Sequence, residues 1–427
     1  MLIYQVLPRL WGNGHLSAWD EASLEYVRGL GASHIWFTGI PRHATGKPYV
    51  KGNPGSPYSI EDYHDVNPYL ADNPQRRMQE FEALVARCNS TGLRVITDLV
   101  PNHVAPDCRD FITHPWYDYD WSDTRKIDWS VPSNREALLE IVLFWASKGV
   151  SGMRCDMVEL VPAEVMQELI AAVKLVHQDF IFLAEIYGRD NYRRYIDEVG
   201  FDLLYDKSGL YDSLCDICIG GGSVRSITRN WQGLGDMQPR MLNFLENHDE
   251  RRLASSEMLG SPEKAYAALG LAALFNSAPF MLYAGQELGE NAADGSDGRT
   301  SIFNFAEVPA LRHLDTKLHT GKGLSREETS VLARYRLTLK LSQSPEFLGS
   351  ANYDLQYCNE ASSWFDPDRH FAFLRYRPGK AWLVVCNFSD SPASPSVYIP
   401  EGLLPGGESM TLSVPVQPWD FTVIKIG

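Results

Sequence analysis

A chain of 427 residues exceeds the roughly 250–300 residues at which a single hydrophobic core stops growing, so a large domain with a smaller companion is expected. Hydrophobic residues at 44% and charged residues at 22% exclude a disordered, collagen-like or membrane-embedded chain. The 39 Lys and Arg against 54 Asp and Glu leave a net charge of −15, which repels phosphate backbones and anionic lipid heads. That argues against nucleic acid or a membrane as partner and leaves neutral sugars open.

The opening MLIYQVLPRLW has no basic leader, no long apolar stretch and no small-residue cleavage site. It reads as a strand, and a cytoplasmic location is the expectation unless a signal was removed. From there short apolar runs alternate with segments of helical period: LIYQV then 17–30, HIWFTGI then 74–90, RVITDLV then 134–148. The run 150–156 precedes a helix from about Pro162, FIFLAEI precedes 190–198, and FDLLYD precedes a less regular helical stretch to Trp231. MLNFLENHD is followed by 262–275, and PFMLYAG by 326–341. These are eight strand-helix units. Near-continuous apolar strands are those of a parallel sheet covered on both faces, and eight units predict a closed (β/α)8 TIM barrel over 1–345. A doubly wound sheet is the alternative, but no GxGxxG turn follows the first strand.

The uncharged stretch 265–285 approaches membrane-spanning length, yet Asn276, Ser277 and Pro279 interrupt it, so a buried helix and then a buried strand are read there. Beyond 345 the runs FAFLRYR, AWLVVCNF, SVYI, MTLSV and FTVIKI predict a C-terminal antiparallel β-sandwich domain over 346–427. Seven scattered cysteines, an odd count, predict free thiols rather than a disulfide framework. The lone C-x-x-C at Cys215 and Cys218 has no second pair to make a metal site.

In a barrel, chemistry gathers at the C-terminal ends of the strands. The third run ends in Asp98 and then Asn102-His103, the fourth in Arg154-Cys-Asp156, the fifth in Glu185, and the seventh in Asn247-His248-Asp249. Three carboxylates, an arginine and two histidines on such ends suit attack on an acetal, with one carboxylate as nucleophile, one as proton donor and one steadying positive charge. Each alone has a plainer reading: Asp249 as a helix cap, Arg154 as a local partner of Asp156, either histidine as a structural group.

At these residues the sequence resembles the α-amylase superfamily, glycoside hydrolase family 13. The motifs DLVPNH at 98–103, GMRCD at 152–156, LAEIY around 185 and FLENHD at 244–249 stand in order, with weaker echoes in GASHIWFTGI, KIDWS and APFMLYAGQE. The resemblance implies Asp156 as nucleophile, Glu185 as acid and then base, and Asp249 as transition-state stabiliser in a retaining cleavage of α-1,4-glucosidic bonds. Arg154 would keep Asp156 ionised, His103 and His248 would bond the sugar's hydroxyls, and Tyr58 would stack on it, with Tyr63 as fallback. No cofactor is required by that chemistry. A structural Ca2+ is left open, with Asn102 and Asp128 as its oxygen ligands. Glu159 and Leu160 replace the Lys-His usual after the nucleophile, which leaves leaving-group preference open.

The insertion after the third strand, about 104–128, is short for the family, and an open cleft that takes polymeric chains is expected. The acidic, glycine-rich segment 285–305 should overhang the catalytic face, with Asp297 and Arg299 either touching sugar or solvated. Trp116, Trp121 and Trp231 stack on sugar or pack inside. The substrate implied is an α-glucan or maltooligosaccharide. The alternatives are a transglycosylase or a sucrose- or trehalose-active relative with the same triad and, less favoured, a non-catalytic glucan-binding protein.

Overall fold

The computed structural model describes residues 1–117, 121–292, 297–359 and 364–426. Eight parallel strands close a barrel: β1 (Leu2–Val6), β2 (His34–Phe37), β3 (Arg94–Leu99), β4 (Gly152–Cys155), β5 (Ile181–Ala184), β6 (Leu203–Tyr205), β7 (Met241–Phe244) and β8 (Phe280–Tyr283). Each pairs with its successor and β8 returns to β1. The two-residue alternation of side chains divides the apolar residues between two cores. Ile3, Trp36, Ile96, Leu183, Tyr205, Leu242 and Met281 fill one. Leu2, Tyr4, Ile35, Val95, Phe182 and Leu282 pack in the larger one with the helices.

The surrounding helices are α1 (Glu21–Gly29), α2 (Arg77–Ser90), α3 (Pro132–Ser147), α4 (Ala163–Val176), α5 (Arg225–Leu234), α6 (Tyr266–Leu274), α7 (Pro309–Thr320) and α8 (Arg326–Ser342). Their starts are legible in chemistry: Asp20 caps α1 by accepting from Ser23 N at 3.0 Å, and Ser325 and Glu328 form a capping box on α8. Two expectations are corrected. The helix foreseen at 190–198 is a 3-10 turn (Arg189–Asn191), one α turn (Tyr192–Arg194) and a wider π turn (Tyr195–Val199), closed by Gly200 at φ +94°. The eighth unit also holds α7, ahead of the helix foreseen there.

Helix α6 is buried all round from Ala267 to Leu274 because the barrel lies on one side and a second domain on the other. That domain is an antiparallel sheet in the order β9 (Ala351–Asp354), β10 (His370–Arg377), β11 (Lys380–Asn387), β14 (Phe421–Ile426), with a pair β12 (Ser396–Ile399) and β13 (Met410–Ser413). One face of the larger sheet, with Phe371, Phe373 and Val384, joins the barrel core. The other face, with Leu374, Leu383 and Val385, covers Val397 and Ile399 of the pair in a core of its own, a small sandwich. Among the described residues no helix is long and apolar enough to cross a membrane. The seven cysteines are free, and Cys215 and Cys218 are half-buried.

Three segments build up the rim of the barrel. The loop after β2 carries an antiparallel pair, Pro41–His43 with Ile60–Val66. The insertion after β3 is tied at its base by His103–Val104 pairing with Arg125–Lys126. The loop after β8 meets the loop after β2 where Gly55 N donates to Phe303 O at 3.1 Å and Phe305 N to Asn53 O at 2.8 Å. Part of that last loop, 293–296, lies outside the described residues.

Candidate active site

At this rim a cavity of about 270 Å3 is lined by Tyr58, His103, Asp156, Glu185, Tyr187 and Asp249, with Lys51, Trp121, Asp123 and Phe303 among its walls. Strand ends aim the key side chains. Arg154, second from the end of β4 and fully buried, turns a guanidinium towards three carboxylates. Its Nη1 donates to Asp156 Oδ1 at 2.5 Å and lies 3.9 Å from Asp98 Oδ1, while Nη2 is 2.9 Å from Glu185 Oε1. The two groups foreseen as nucleophile and acid therefore share the fork of one cation. Glu185 Oε2 accepts from Met157 N at 2.8 Å, a bond made by a residue at φ +46°, where a non-glycine backbone is strained.

The loop after β7 is held by Asn247, whose Oδ1 accepts from Asp249 N at 2.8 Å and Glu250 N at 2.9 Å. His248 stacks on Tyr58 with ring centroids 5.3 Å apart and meets Trp36 edge-on at 5.6 Å. Burial and the nearby Arg154 press its imidazole well below the usual histidine range, so it is neutral. Gln5 Nε2 donates to its Nδ1 at 2.7 Å, which puts the ring proton on Nε2, towards Asp249 Oδ2 at 3.1 Å and the Tyr58 hydroxyl. Gln5, on β1, and Trp36, on β2, belong to the site although nothing in their own runs of sequence marks them. Only the register of a closed barrel brings β1 beside the end of β7.

The carboxylates are not equivalent. Burial, with the charge of Asp156, raises Glu185 above the usual range. Asp249 is pushed the same way by burial and by Glu185 and Asp156, although 39% of its side chain still meets the cleft, so solvent in the open cavity tempers that push. Asp98, wholly buried with Gly39 N donating to its Oδ2 at 3.1 Å, is raised to about 7, burial being the largest cause. A carboxyl raised on folding adds most stability below its unfolded value near 4, and that contribution is lost as pH rises through 7. Asp98→Asn should therefore flatten the fall in stability between about pH 5 and about pH 8, read as the denaturant midpoint at the two values. An equally steep fall in the variant would show that Asp98 is not its source.

His103 lies 5.3 Å from the Trp121 ring, centroid to centroid. Lys51 bridges to Asp123 at 3.2 Å and links the loop after β2 to the insertion, and both residues line that side of the cavity. Tyr63 stays away from the cavity: its hydroxyl donates to Val100 O at 3.0 Å and accepts from Val100 N at 2.9 Å. Arg299 and Asp297 are exposed and bonded to each other, Arg299 N to Asp297 Oδ1 at 3.1 Å, and do not line the cavity. Ile302 and Phe303 of the same segment do. Trp116 is exposed, and Trp231 packs on Phe275.

Asn102 and Asp128 are engaged with different partners. Asn102 Nδ2 meets His103 Nδ1 at 3.2 Å, whereas Asp128 Oδ1 accepts from Ser130 N at 3.0 Å and Ser130 Oγ at 2.6 Å. These bonds use one carboxylate oxygen of Asp128 and the amide nitrogen of Asn102, and no step below uses a metal. Asp62, His64 and Asp110 offer ligand atoms within 4.8 Å of one another, but Asp110 Oδ2 already accepts from Tyr63 N at 2.8 Å, a bond that ties the insertion to the neighbouring strand.

The family described as the α-amylase catalytic domain matches residues 21–129 and 113–309, which takes in β2 to β8 and Asp156, Glu185 and Asp249. The chain belongs to the α-amylase family. Among curated relatives of this α-amylase-family chain, an alpha-1,4-glucan:maltose-1-phosphate maltosyltransferase of Cereibacter sphaeroides is 32% identical over 47% of the chain. An alpha-amylase, MalA of Haloarcula japonica, is 28% identical over 94% of it. The aligned regions cover 39% and 57% of those two proteins. The solved maltogenic alpha-amylase AmyB of Thermotoga neapolitana superposes with a TM-score of 0.74 at 23% identity, covering 100% of this chain and 96% of that one. A Lactobacillus plantarum alpha-amylase gives 0.75 at 20%, covering 100% and 98%. At such identities these structures speak for the fold.

Proposed function

We propose that the protein is a retaining α-glucan hydrolase acting on α-1,4 bonds of starch-like glucans or maltooligosaccharides. The observation that carries this reading is the single Arg154 fork gripping Asp156 and Glu185 beside Asp249 in a sugar-sized cavity. Asp156 attacks the anomeric carbon as Glu185 passes its proton to the glycosidic oxygen, and the leaving sugar departs as an alcohol. Glu185, now a carboxylate, takes a proton from water, whose oxygen bonds to the same carbon and releases Asp156. Two displacements retain the configuration. Arg154 Nη1 donates to Asp156 Oδ1 at 2.5 Å, while burial raises Glu185 and so favours its protonated form. Asp249 and neutral His248 stand where hydroxyls of the bound sugar would meet them, with Tyr58 as its platform. The substrate is neutral, in keeping with the acidic chain, and the chemistry needs no cofactor.

The test is a product chromatogram from maltoheptaose. Wild type should release shorter chains, and Asp156→Asn should lose about 10^3-fold or more of that rate. Untouched maltoheptaose in both samples would sink the α-1,4-glucan assignment. A second reading, in which a sugar hydroxyl intercepts the intermediate instead of water, is favoured by the likeness to a maltosyltransferase. Products longer than the substrate would mark it.

A further inference from the structure

Glu159 stands where the family's usual basic residue would be, and its carboxylate is turned to the loop after β5. Oε2 accepts from Tyr187 N at 2.7 Å and Gly188 N at 3.1 Å, and Oε1 accepts from Asn191 Nδ2 at 2.8 Å. The contact is close: a Cβ at Gly188 would lie 2.5 Å from Glu159 Oε1 and push that carboxylate aside. Held this way, Tyr187 lines the cavity and its hydroxyl donates to Glu185 Oε1 at 2.6 Å.

We propose that Glu159 and Tyr187 are positioning residues that decide which oxygen of Glu185 carries the proton it transfers. A carboxylate oxygen has two lone-pair directions. On Oε1 one faces Arg154 Nη2 at 2.9 Å and the other the Tyr187 hydroxyl. Among the described residues Oε2 has Met157 N alone, so the proton sits on Oε2. The groups facing Glu185 are Arg154 and Asp156 from the end of β4, Tyr205 on β6, Asp249 after β7 and Tyr187 itself. Of these, Tyr187 donates to Oε1 and Arg154 Nη2 pairs with it as an ion at 2.9 Å, and Tyr187 can be deleted without stripping charge from the site. Losing its donation makes the ionised form of Glu185 less favourable and leaves Oε1 open to the proton, away from the direction of transfer.

The inference rests on Glu185 being the acid of the proposed reaction, and the experiment separates the two. Tyr187→Phe keeps the ring of a side chain that is part-exposed, and an unchanged melting temperature checks the fold. Difference infrared spectroscopy of the carboxyl stretch, wild type against Glu185→Gln, reads the Glu185 titration without turnover. In Tyr187→Phe that titration should move up by about one pH unit, and the alkaline limb of kcat/KM on maltoheptaose should move up with it. The rate on maltoheptaose should fall about 10-fold or more. For α-maltosyl fluoride, whose fluoride departs without a proton, kcat/KM should stay within about 3-fold of wild type. Glu159→Gln should follow in the same direction with smaller effects. A Glu185 titration identical in wild type and Tyr187→Phe overturns the inference. A titration that moves while wild type turns over neither substrate leaves the inference standing and removes the functional reading.

Discussion

Arg154→Met is expected to abolish turnover and to cost about 3–5 kcal/mol of folding stability. Arg154 is fully buried and sits against the rings of Tyr58, Trp36 and Tyr205, with its guanidinium carbon 5.3, 5.6 and 5.7 Å from their centroids. A methionine fits such a slot, so packing is not what fails. What fails is charge: Asp98, Asp156 and Glu185 would be left buried around an uncharged thioether, and carboxylates in that position take up protons instead of ionising. A protonated Asp156 is no nucleophile. Arg154→Lys makes the contrast, because it restores the charge without the fork that reaches Asp156 and Glu185 together. It should recover most of the stability and little of the activity. Denaturant unfolding and release of shorter chains from maltoheptaose measure the two, and a methionine variant as stable as wild type would show that the guanidinium does not hold the carboxylates.

Arg375→Met is the second large effect, at about 3–5 kcal/mol, with no direct change at the cavity. Among the described residues no carboxylate pairs with this arginine, on β10. It donates to Leu274 O at 3.0 Å and Asn276 O at 2.8 Å at the end of α6, and to Ser277 Oγ at 2.7 Å. On the other side it donates to Phe347 O at 2.7 Å and to Ser350 Oγ and O at 3.0 and 3.1 Å. Burial lowers it to about 10, so it is still charged at neutral pH. Removing it orphans buried carbonyls on both sides of the domain junction. Calorimetry should show the melting temperature falling and one transition broadening or splitting as the β domain lets go of the barrel. A single sharp transition at the wild-type temperature would show that the apolar contacts alone hold the junction.

The barrel was legible because its strands are apolar on both faces and because β1 to β8 each end in turn residues that stop the run. The irregular turns 189–199 were not, because their apolar residues Tyr192, Tyr195, Ile196 and Val199 keep a helical spacing whether the backbone winds as α or π. Helix α7 had signals that went unread, a proline at its first position and Leu311 and Leu314 three apart. In the site, Asp156, Glu185, Asp249, Tyr58, His103 and Arg154 or its contacts could be named because strand ends and ordered motifs mark them. Lys51 and Tyr187, which reach the cavity from loops, and Gln5, which reaches His248 from β1, could not, since only the closed barrel brings them there. The substitution at Glu159 was visible, but its meaning, a carboxylate folded back onto Tyr187 and Gly188, was not.

The close seat of Phe421 on α6 bears on how the chain is made. Gly270 has no side chain where the Phe421 ring lies; a Cβ there would come within 2.4 Å of it, and Trp419 O accepts from Ala267 N at 2.9 Å one turn earlier. During synthesis α6 leaves the ribosome long before 419–426 exists. Throughout that interval its outward apolar side has water, chaperone or another nascent chain as its neighbour, and a ribosome stalled in the β domain would hold a barrel with an adhesive flank.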